Sequence, residues 1–286
     1  YTGRLKNDLL ALQNSGADEI HRSRLLAQEL SRLYARVVQN LLSEQNLTPA
    51  AITALGCHGQ TVRHAPEHGY SVQLADLPLL AEHTGITAVG DFRSRDIAAG
   101  GQGAPLVPAF HQAVFAAPHE TRAVLNIGGI ANISILPPDA PAFGFDTGPA
   151  NTLLDGWIEA HHGHRYDHHG QWAASGRPIP ELLEHLLADP YFARPAPKST
   201  GRDLFNLSWL KQHLQAHPDA AAADVQATLM ALTAESTAQA IRAQNLSAVY
   251  LCGGGAENAG LAQAIQQAVG PETLVQSTHA RHCPSG

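Results

Sequence analysis

The stretch that most constrains this chain runs from Ala123 to Asn151, AVLNIGGIANISILPPDAPAFGFDTGPAN. Its apolar runs predict a strand over 123–127, a tight turn at Gly128-Gly129 and a second strand over 131–136. After a Pro-rich loop, a third short strand ends in Phe145-Asp146-Thr147-Gly148. Two adjacent glycines can take up positive φ and bring backbone N–H groups to an anion with no side chain in the way. Asp146 stands at the end of an apolar strand, ahead of the Gly148-Pro149 turn and a helix expected from about Asn151. From such a rigid support a carboxylate can act as acid or base in a cleft. The same residues also suit a plain hairpin followed by a helix-capping aspartate.

The remaining properties narrow the class of ligand. A chain of 286 residues, 44% hydrophobic and 15% charged, can bury a sizeable core in one or two domains. Its formal charge is −7, with 18 Lys and Arg scattered among 25 acids, so it has no basic stripe for nucleic acid and a small molecule is the expected partner. Cys57, Cys252 and Cys283 lie far apart without CxxC spacing, which predicts neither a disulfide framework nor zinc and fits a reducing compartment such as the cytoplasm. No run approaches the ~18 apolar residues of a membrane span, and no signal-like segment opens the chain. A chain beginning at Tyr1 is expected to lack its original start.

Taken in order, the three- and four-residue spacing of apolar positions predicts a long amphipathic helix over 19–45, preceded by a shorter one. A buried strand follows over 51–57, with the polar cluster His58-Gly59-Gln60-Thr61 at the strand end where open α/β sheets place ligands. Strands are expected over 70–74 and 86–92, a short helix over 77–82, and a shaped glycine-rich loop over 98–106. Beyond the central hairpin, helices are expected over 152–160, 180–188 and 225–243. Metal-binding helices want His at i and i+4, but in HHGHRYDHH (161–169) the Gly163 break and the Tyr166-Asp167 turn predict a solvated loop, so no metal ligand is assigned. RPAPKSTGR (194–202) is an extended loop carrying Lys198 and Arg202 toward a helix start near Asp203. A buried strand over 248–251 runs into Gly253-Gly254-Gly255 and a helix over 259–269, a strand-to-helix turn at which a nucleotide can approach the backbone. The break in the pattern near Ala116–Glu120 divides the chain into 1–118 and 119–286.

Six of these stretches together resemble the bacterial anhydro-N-acetylmuramic acid kinases, within the actin-like superfamily of sugar kinases and ATPases. They are GCHGQTVRH (56–64), GDFRSRDIAAGGQGAPLVPAFH (90–111), NIGGIANIS (126–134), GFDTGPAN (144–151), PKSTGR (197–202) and LCGGGAENAGL (251–261). The resemblance implies a two-lobed α/β actin-like (ribonuclease H-like) fold with ATP and sugar in an interlobe cleft, in a homodimeric cytoplasmic enzyme of peptidoglycan recycling. It implies that the 1,6-anhydro bridge is opened by water while the γ-phosphate of ATP, with Mg²⁺, goes to O6. By position, Asp146 would be the base that activates the water, and Gly128-Gly129 the second phosphate loop. Gly253, Gly254, Gly255 and Asn258 would lie by the nucleoside. His58, Gln60, Thr61, Asp91 and Arg93 would line the sugar side.

Two parts of the family pattern are not matched. The first phosphate loop would precede Tyr1, and the ending HARHCPSG differs from the family's glutamate-bearing segment. Residues 1–286 alone are therefore expected to bind ATP weakly and turn over negligibly. The competing readings are a non-catalytic sugar- or nucleotide-binding chain of the same fold, and an actin-like kinase of an ordinary hexose.

Overall fold

The structure, a computed structural model, describes residues 3–278; Cys283 and the ending HARHCPSG lie outside them. The chain divides into two compact units, Tyr1–Gly103 and Ala104–Gly286.

In the first unit, helix α1 (Gly3–Ala11) and the long helix α2 (Glu19–Glu44) precede strands β1 (Leu55–Cys57), β2 (Gln60–Ala65) and β3 (Tyr70–Leu74). Helix α3 (Leu77–Thr84), strand β4 (Ala88–Gly90) and helix α4 (Phe92–Ala98) follow. Part of the apolar stripe of α2 buries as its spacing predicts, with Leu26, Ala27 and Leu30 against Leu5, Leu9, Leu12, Val62 and Leu74, whereas Leu25, Val37 and Leu41 are exposed. β1 and β4 are shorter than the sequence suggests, because they pair in parallel over three positions only, Leu55 with Ala88, Gly56 with Val89 and Cys57 with Gly90. Pro49–Ala51 is a 3₁₀ turn, and Phe92 already opens α4. The polar cluster at the end of β1 runs straight into a second strand, since Gln60 and Thr61 begin β2 and pair antiparallel with Leu74 and Gln73 of β3.

The second unit is built on five strands: β5 (Arg122–Ile127), β6 (Ile130–Leu136), β7 (Phe143–Pro149), β8 (Ala248–Cys252) and β9 (Leu274–Ser277), in the order β7-β6-β5-β8-β9. The hairpin makes β5 antiparallel to β6 and β6 antiparallel to β7, while β8 and β9 join in parallel. Both faces are covered, which is why β5 and β8 read as continuous apolar runs. On one face, Ala123, Leu125, Ile127, Ile133, Ile135, Val249 and Leu251 enter the main core. There they meet helices α6 (Asn151–His162), α7 (Gln171–Ser175), α8 (Pro180–Leu187), α9 (Pro190–Ala193), α10 (Leu207–Leu214), α11 (Ala222–Arg242) and α12 (Ala259–Val269). On the other face, Val124, Leu136, Ala248 and Tyr250 pack on Phe115 of helix α5 (Pro108–Phe115). His111 of α5 is buried and shares a 2.8 Å hydrogen bond with Ser134 Oγ.

That packing decides where the chain divides. The division at Gly103/Ala104 keeps α5 with the sheet it covers, and the stretch Ala116–Glu120, where the sequence suggested a link, holds a β-bridge between Ala117 and Glu120.

Candidate active site

The register of the second sheet gathers three of the predicted features at one edge. Asp146 pairs with Asn132, Asn132 with Asn126, and Asn126 with Cys252, so one row crosses four strands. Just beyond that row, at the C-terminal ends of the parallel strands β5 and β8, stand the Gly128-Gly129 turn and Gly253. A β-bulge falls within β7: Ala131 faces Gly148 while Asn132 faces Asp146, which leaves Thr147 as the extra residue. Bulges recur beside active sites because they re-aim a side chain without breaking the strand.

Asp146 is buried, and its surroundings exclude the capping role. The N-cap position of α6 is Ala150, which offers no side-chain bond. Instead, Asp146 Oδ2 accepts a 2.9 Å bond from the Thr200 N–H, and the Asp146 N–H donates to Lys198 O. The PKSTGR loop is thus clipped along β7 on both sides of this carboxylate. From below, the Tyr191 hydroxyl donates to the Asp146 carbonyl oxygen at 2.6 Å. Burial first, and the Asp146 charge second, push the Tyr191 hydroxyl well above its ordinary pKa, so it stays a donor. Lys198, its ammonium lowered by burial and by Arg194, spends its Nζ on the Tyr191 and Phe192 carbonyls and serves the loop's anchorage.

The glycine turn departs from expectation in conformation. Neither Gly128 nor Gly129 has positive φ. Close approach explains the glycine at 129, where a Cβ would lie 2.6 Å from Thr152 Oγ1 and 3.3 Å from Arg202 Nη2. The turn's carbonyls are spent on the start of α6, with Gly129 O accepting from Ala150 and Thr152 and Gly128 O from Asn151. Its own N–H groups meet no backbone carbonyl among the described residues.

The second glycine segment works by a division of labour. Gly253 has φ +80°, and a Cβ on Gly255 would sit 2.2 Å from Ile127 Cγ2, so these two let the turn lie flat on β5. Gly254 faces open space and, with Gly255, lines a pocket of about 380 Å³ shared with Asn151, Asp155, Tyr166, His169 and Asn258. Asn258 does double duty as the N-cap of α12, its Oδ1 accepting from the Leu261 N–H at 3.1 Å. The histidine-rich segment is part of this wall. Its Asp167, buried, anchors the start of α7 through bonds from the Trp172 and Ala173 N–H groups, and His169 Nδ1 meets Glu257 O at 3.2 Å. Asp155, Tyr166 and His169 were not singled out from sequence, although the i, i+4 spacing of Asn151 and Asp155 at the start of α6 puts both on one helix face.

Burial holds the Asp155 carboxyl up at about 6 from its ordinary 3.8, with Arg202 pulling it down and Glu159 adding a smaller push upward. A carboxyl whose folded pKa exceeds its unfolded value keeps its proton longer in the native state. Its stabilising effect is therefore full below about pH 4 and is lost as pH rises through 6. Asp155→Asn is expected to be more stable than the parent above pH 6, by about 1 to 2 kcal/mol once solvent screening of this half-buried group is allowed for, with the gain vanishing toward pH 4. Thermal melts between pH 4 and 8 check this, and an equal shift at every pH would contradict it.

In the first unit, His58 and Asp91 directly follow Cys57 and Gly90, the last residues paired between β1 and β4. Asp91 takes φ 56° and accepts from Ser94 Oγ at 2.6 Å; Arg93 donates to Gly103 O. His58 Nδ1 lies 2.9 Å from Gly59 O, Gln60 Nε2 donates to Thr61 O, and Thr61 Oγ1 accepts from Gln73. His58 and Asp91 thus share one strand-end edge, while Gln60 and Thr61 belong to the neighbouring hairpin.

A carboxylate and an open-amide turn at one sheet edge, with a pocket of nucleoside size beside them, meet what group transfer from a nucleotide requires, and the class is that of a mixed α/β kinase. The family model described as "Anhydro-N-acetylmuramic acid kinase" matches residues 1–285. Proteins named anhydro-N-acetylmuramic acid kinase are 60% identical in Neisseria meningitidis serogroup B (97% of this chain, 76% of the relative), 59% in Neisseria gonorrhoeae strain FA 1090 (97% and 76%) and 56% in Bordetella petrii (98% and 75%). The chain belongs to the anhydro-N-acetylmuramic acid kinase family. Among solved structures, it aligns with the activator of the 2-hydroxyisocaproyl-CoA dehydratase from Clostridium difficile with bound ADPNP (TM-score 0.45, 15% identity, 84% of this chain and 74% of that one). It also aligns with a ROK family glucokinase from Streptomyces griseus in complex with glucose and AMPPNP (0.37, 15%, 85% and 81%). Those likenesses are too distant to carry an argument about the site. Among the described residues, no helix is long and apolar enough to cross a membrane.

Proposed function

We propose that the protein phosphorylates anhydro-N-acetylmuramic acid at O6 with ATP while water opens the 1,6-anhydro bridge, giving N-acetylmuramic acid 6-phosphate and ADP. Asp146 takes a proton from the water as its oxygen bonds to the anomeric carbon. The bond from that carbon to O6 breaks, and O6 takes the γ-phosphoryl group as ADP leaves. The departing oxygen is itself the phosphoryl acceptor, so one carboxylate suffices and no separate acid is required. The Gly128-Gly129 turn receives phosphate oxygens on its amides, and the pocket at Gly254, Gly255 and Asn258 takes the nucleoside. His58, Gln60, Thr61, Asp91 and Arg93 form the sugar side. The enzyme works as a homodimer in the cytoplasm, in peptidoglycan recycling.

The observation that carries this reading is the register row ending in Asp146, which sets a buried carboxylate on a bulged strand within the same edge as both glycine segments. Mg²⁺, the expected companion of ATP, fits an ion carried by the nucleotide better than a resident one. No three His, Cys, Asp or Glu side chains among the described residues gather as a metal site, and Mg²⁺ commonly keeps its waters and phosphate ligands. No step is routed through it.

The test is turnover in ¹⁸O-labelled water. The anhydro-sugar reaction places the label at the anomeric position of the phosphorylated product. Phosphorylation of an ordinary hexose without label uptake would overturn the proposal in favour of simple hexose kinase chemistry.

A further inference from the structure

The PKSTGR loop ends in an arginine that neither the fold nor the proposed reaction uses. Arg202 lies in the same unit as the glycine turn, and its Nη2 would be 3.3 Å from a Cβ at Gly129. Only its backbone carbonyl has a recorded bond, accepting from Asn206 Nδ2, and its guanidinium has no hydrogen bond or ion pair among the described residues. The neighbouring hydroxyl is also unspent: Thr152 Oγ1 is buried without a partner and lies against the same turn. An arginine held beside open backbone amides, with a donor hydroxyl next to them, has the composition of a phosphate site. The loop's other cation is excluded, because Lys198 is committed to the Tyr191 and Phe192 carbonyls.

We propose that Arg202 grips the terminal phosphates of the nucleotide at the Gly128-Gly129 turn, with Thr152 Oγ1 as the accompanying donor. The loop that fastens the base Asp146 through Thr200 then also carries the cation for the phosphates, two residues further along. Asp155, which lines the nucleoside pocket and feels the charge of Arg202, supplies the counter-charge to the guanidinium when no phosphate is bound. Its proton affinity is sensitive to Arg202 and so reports on whether the guanidinium stays nearby.

This assignment rests on the nucleotide reading but not on the sugar. Its test is isothermal titration with ATP, inorganic tripolyphosphate and adenosine of a chain that also carries the family's first phosphate loop, comparing the parent with Arg202→Gln and Arg202→Lys. The loss of charge-assisted bonds is expected to weaken ATP and tripolyphosphate by about 10- to 150-fold in the Gln variant. Adenosine should stay within threefold, and the Lys variant should fall between, because it keeps the charge and loses the fork. Melting temperatures are measured alongside. Arg202→Gln binding of ATP within threefold of the parent would overturn the assignment, as would equal loss of adenosine and tripolyphosphate, or absence of any ATP or tripolyphosphate binding by the parent at millimolar concentration. If the Arg202 effect appears while the product carries no label from ¹⁸O-water, the arginine assignment stands and the anhydro-sugar reaction falls.

Discussion

In a chain that also carries the family's first phosphate loop and glutamate-bearing segment, Asp146→Asn is expected to slow turnover of anhydro-N-acetylmuramic acid about 10²- to 10⁴-fold, the usual contribution of a general base. Ring opening and phosphorylation should fall together, since O6 becomes a nucleophile only as the bridge breaks. The structural role of this side chain is one that asparagine can keep. The bond from the Thr200 N–H to Oδ2 needs an acceptor oxygen, which the amide also presents, and the Tyr191 hydroxyl bonds the main chain, not the side chain. ATP binding should therefore change less than threefold, and the melting temperature by little. If Asp146 only tethered the PKSTGR loop, the Asn variant would retain a rate within a few-fold of the parent, and the catalytic assignment would be lost. Separate assays of ring opening and phosphate transfer supply a second check, because decoupled losses would contradict a single proton-accepting step.

In a chain that also carries the family's first phosphate loop, Gly129→Val should require at least about 10-fold more ATP for half-maximal rate, from loss of one or more charge-assisted phosphate bonds, while its affinity for the sugar stays within threefold. The reason is space. Residue 129 does not occupy the left-handed region, so the backbone itself would accept a side chain, but the first carbon would lie 2.6 Å from Thr152 Oγ1 and close to Arg202. Either the turn shifts and its amides lose their aim, or Thr152 and the arginine are displaced. The double variant Gly129→Ala with Thr152→Ser separates these outcomes little, whereas Gly129→Ala with Thr152→Ala removes the collision. Recovery of ATP affinity in that pair would put the damage on the clash; no recovery would put it on the hydroxyl itself. Equal loss of ATP and sugar affinity in Gly129→Val would mean that the turn is a folding element and not a phosphate site.

Much of the second unit is legible in sequence because its signals are local. The hairpin is punctuated by Gly128-Gly129, and the strand of 248–252 is an unbroken apolar run, so length and period identify both. The first unit is less legible, since β1 and β4 are three residues each and exist only through pairing with one another across more than thirty positions of chain. The same contrast holds in the site. Asp146 and the glycine segments announce themselves by residue type, whereas Asp155, Tyr166 and His169 become pocket residues only when α12 packs against the histidine-rich segment. Asp146 illustrates a subtler limit: sequence allowed a helix cap, whereas the structure puts Ala150 at the N-cap of α6 and pairs the Asp146 carboxylate with the Thr200 N–H, fifty-four positions away. The expectation of positive φ at Gly128-Gly129 failed because adjacent glycines signal freedom without saying whether conformation or crowding demands it.

The extra residue at Thr147 has a consequence for how this segment can change over generations. Because β7 carries one more residue than β6 needs, the count of residues between Asp146 and the start of α6, more than their identity, keeps the carboxylate in its row while the chain still reaches the glycine turn. Thr147 bonds Ala131 O only weakly, at 3.3 Å, so its hydroxyl matters less than its presence. Loss of the codon would slide one end of the segment by a residue and exchange inner for outer faces, turning Asp146 or the helix start the wrong way. A deletion at this point is therefore expected to cost more than a substitution of similar volume, because only the deletion changes which face each residue of the segment presents.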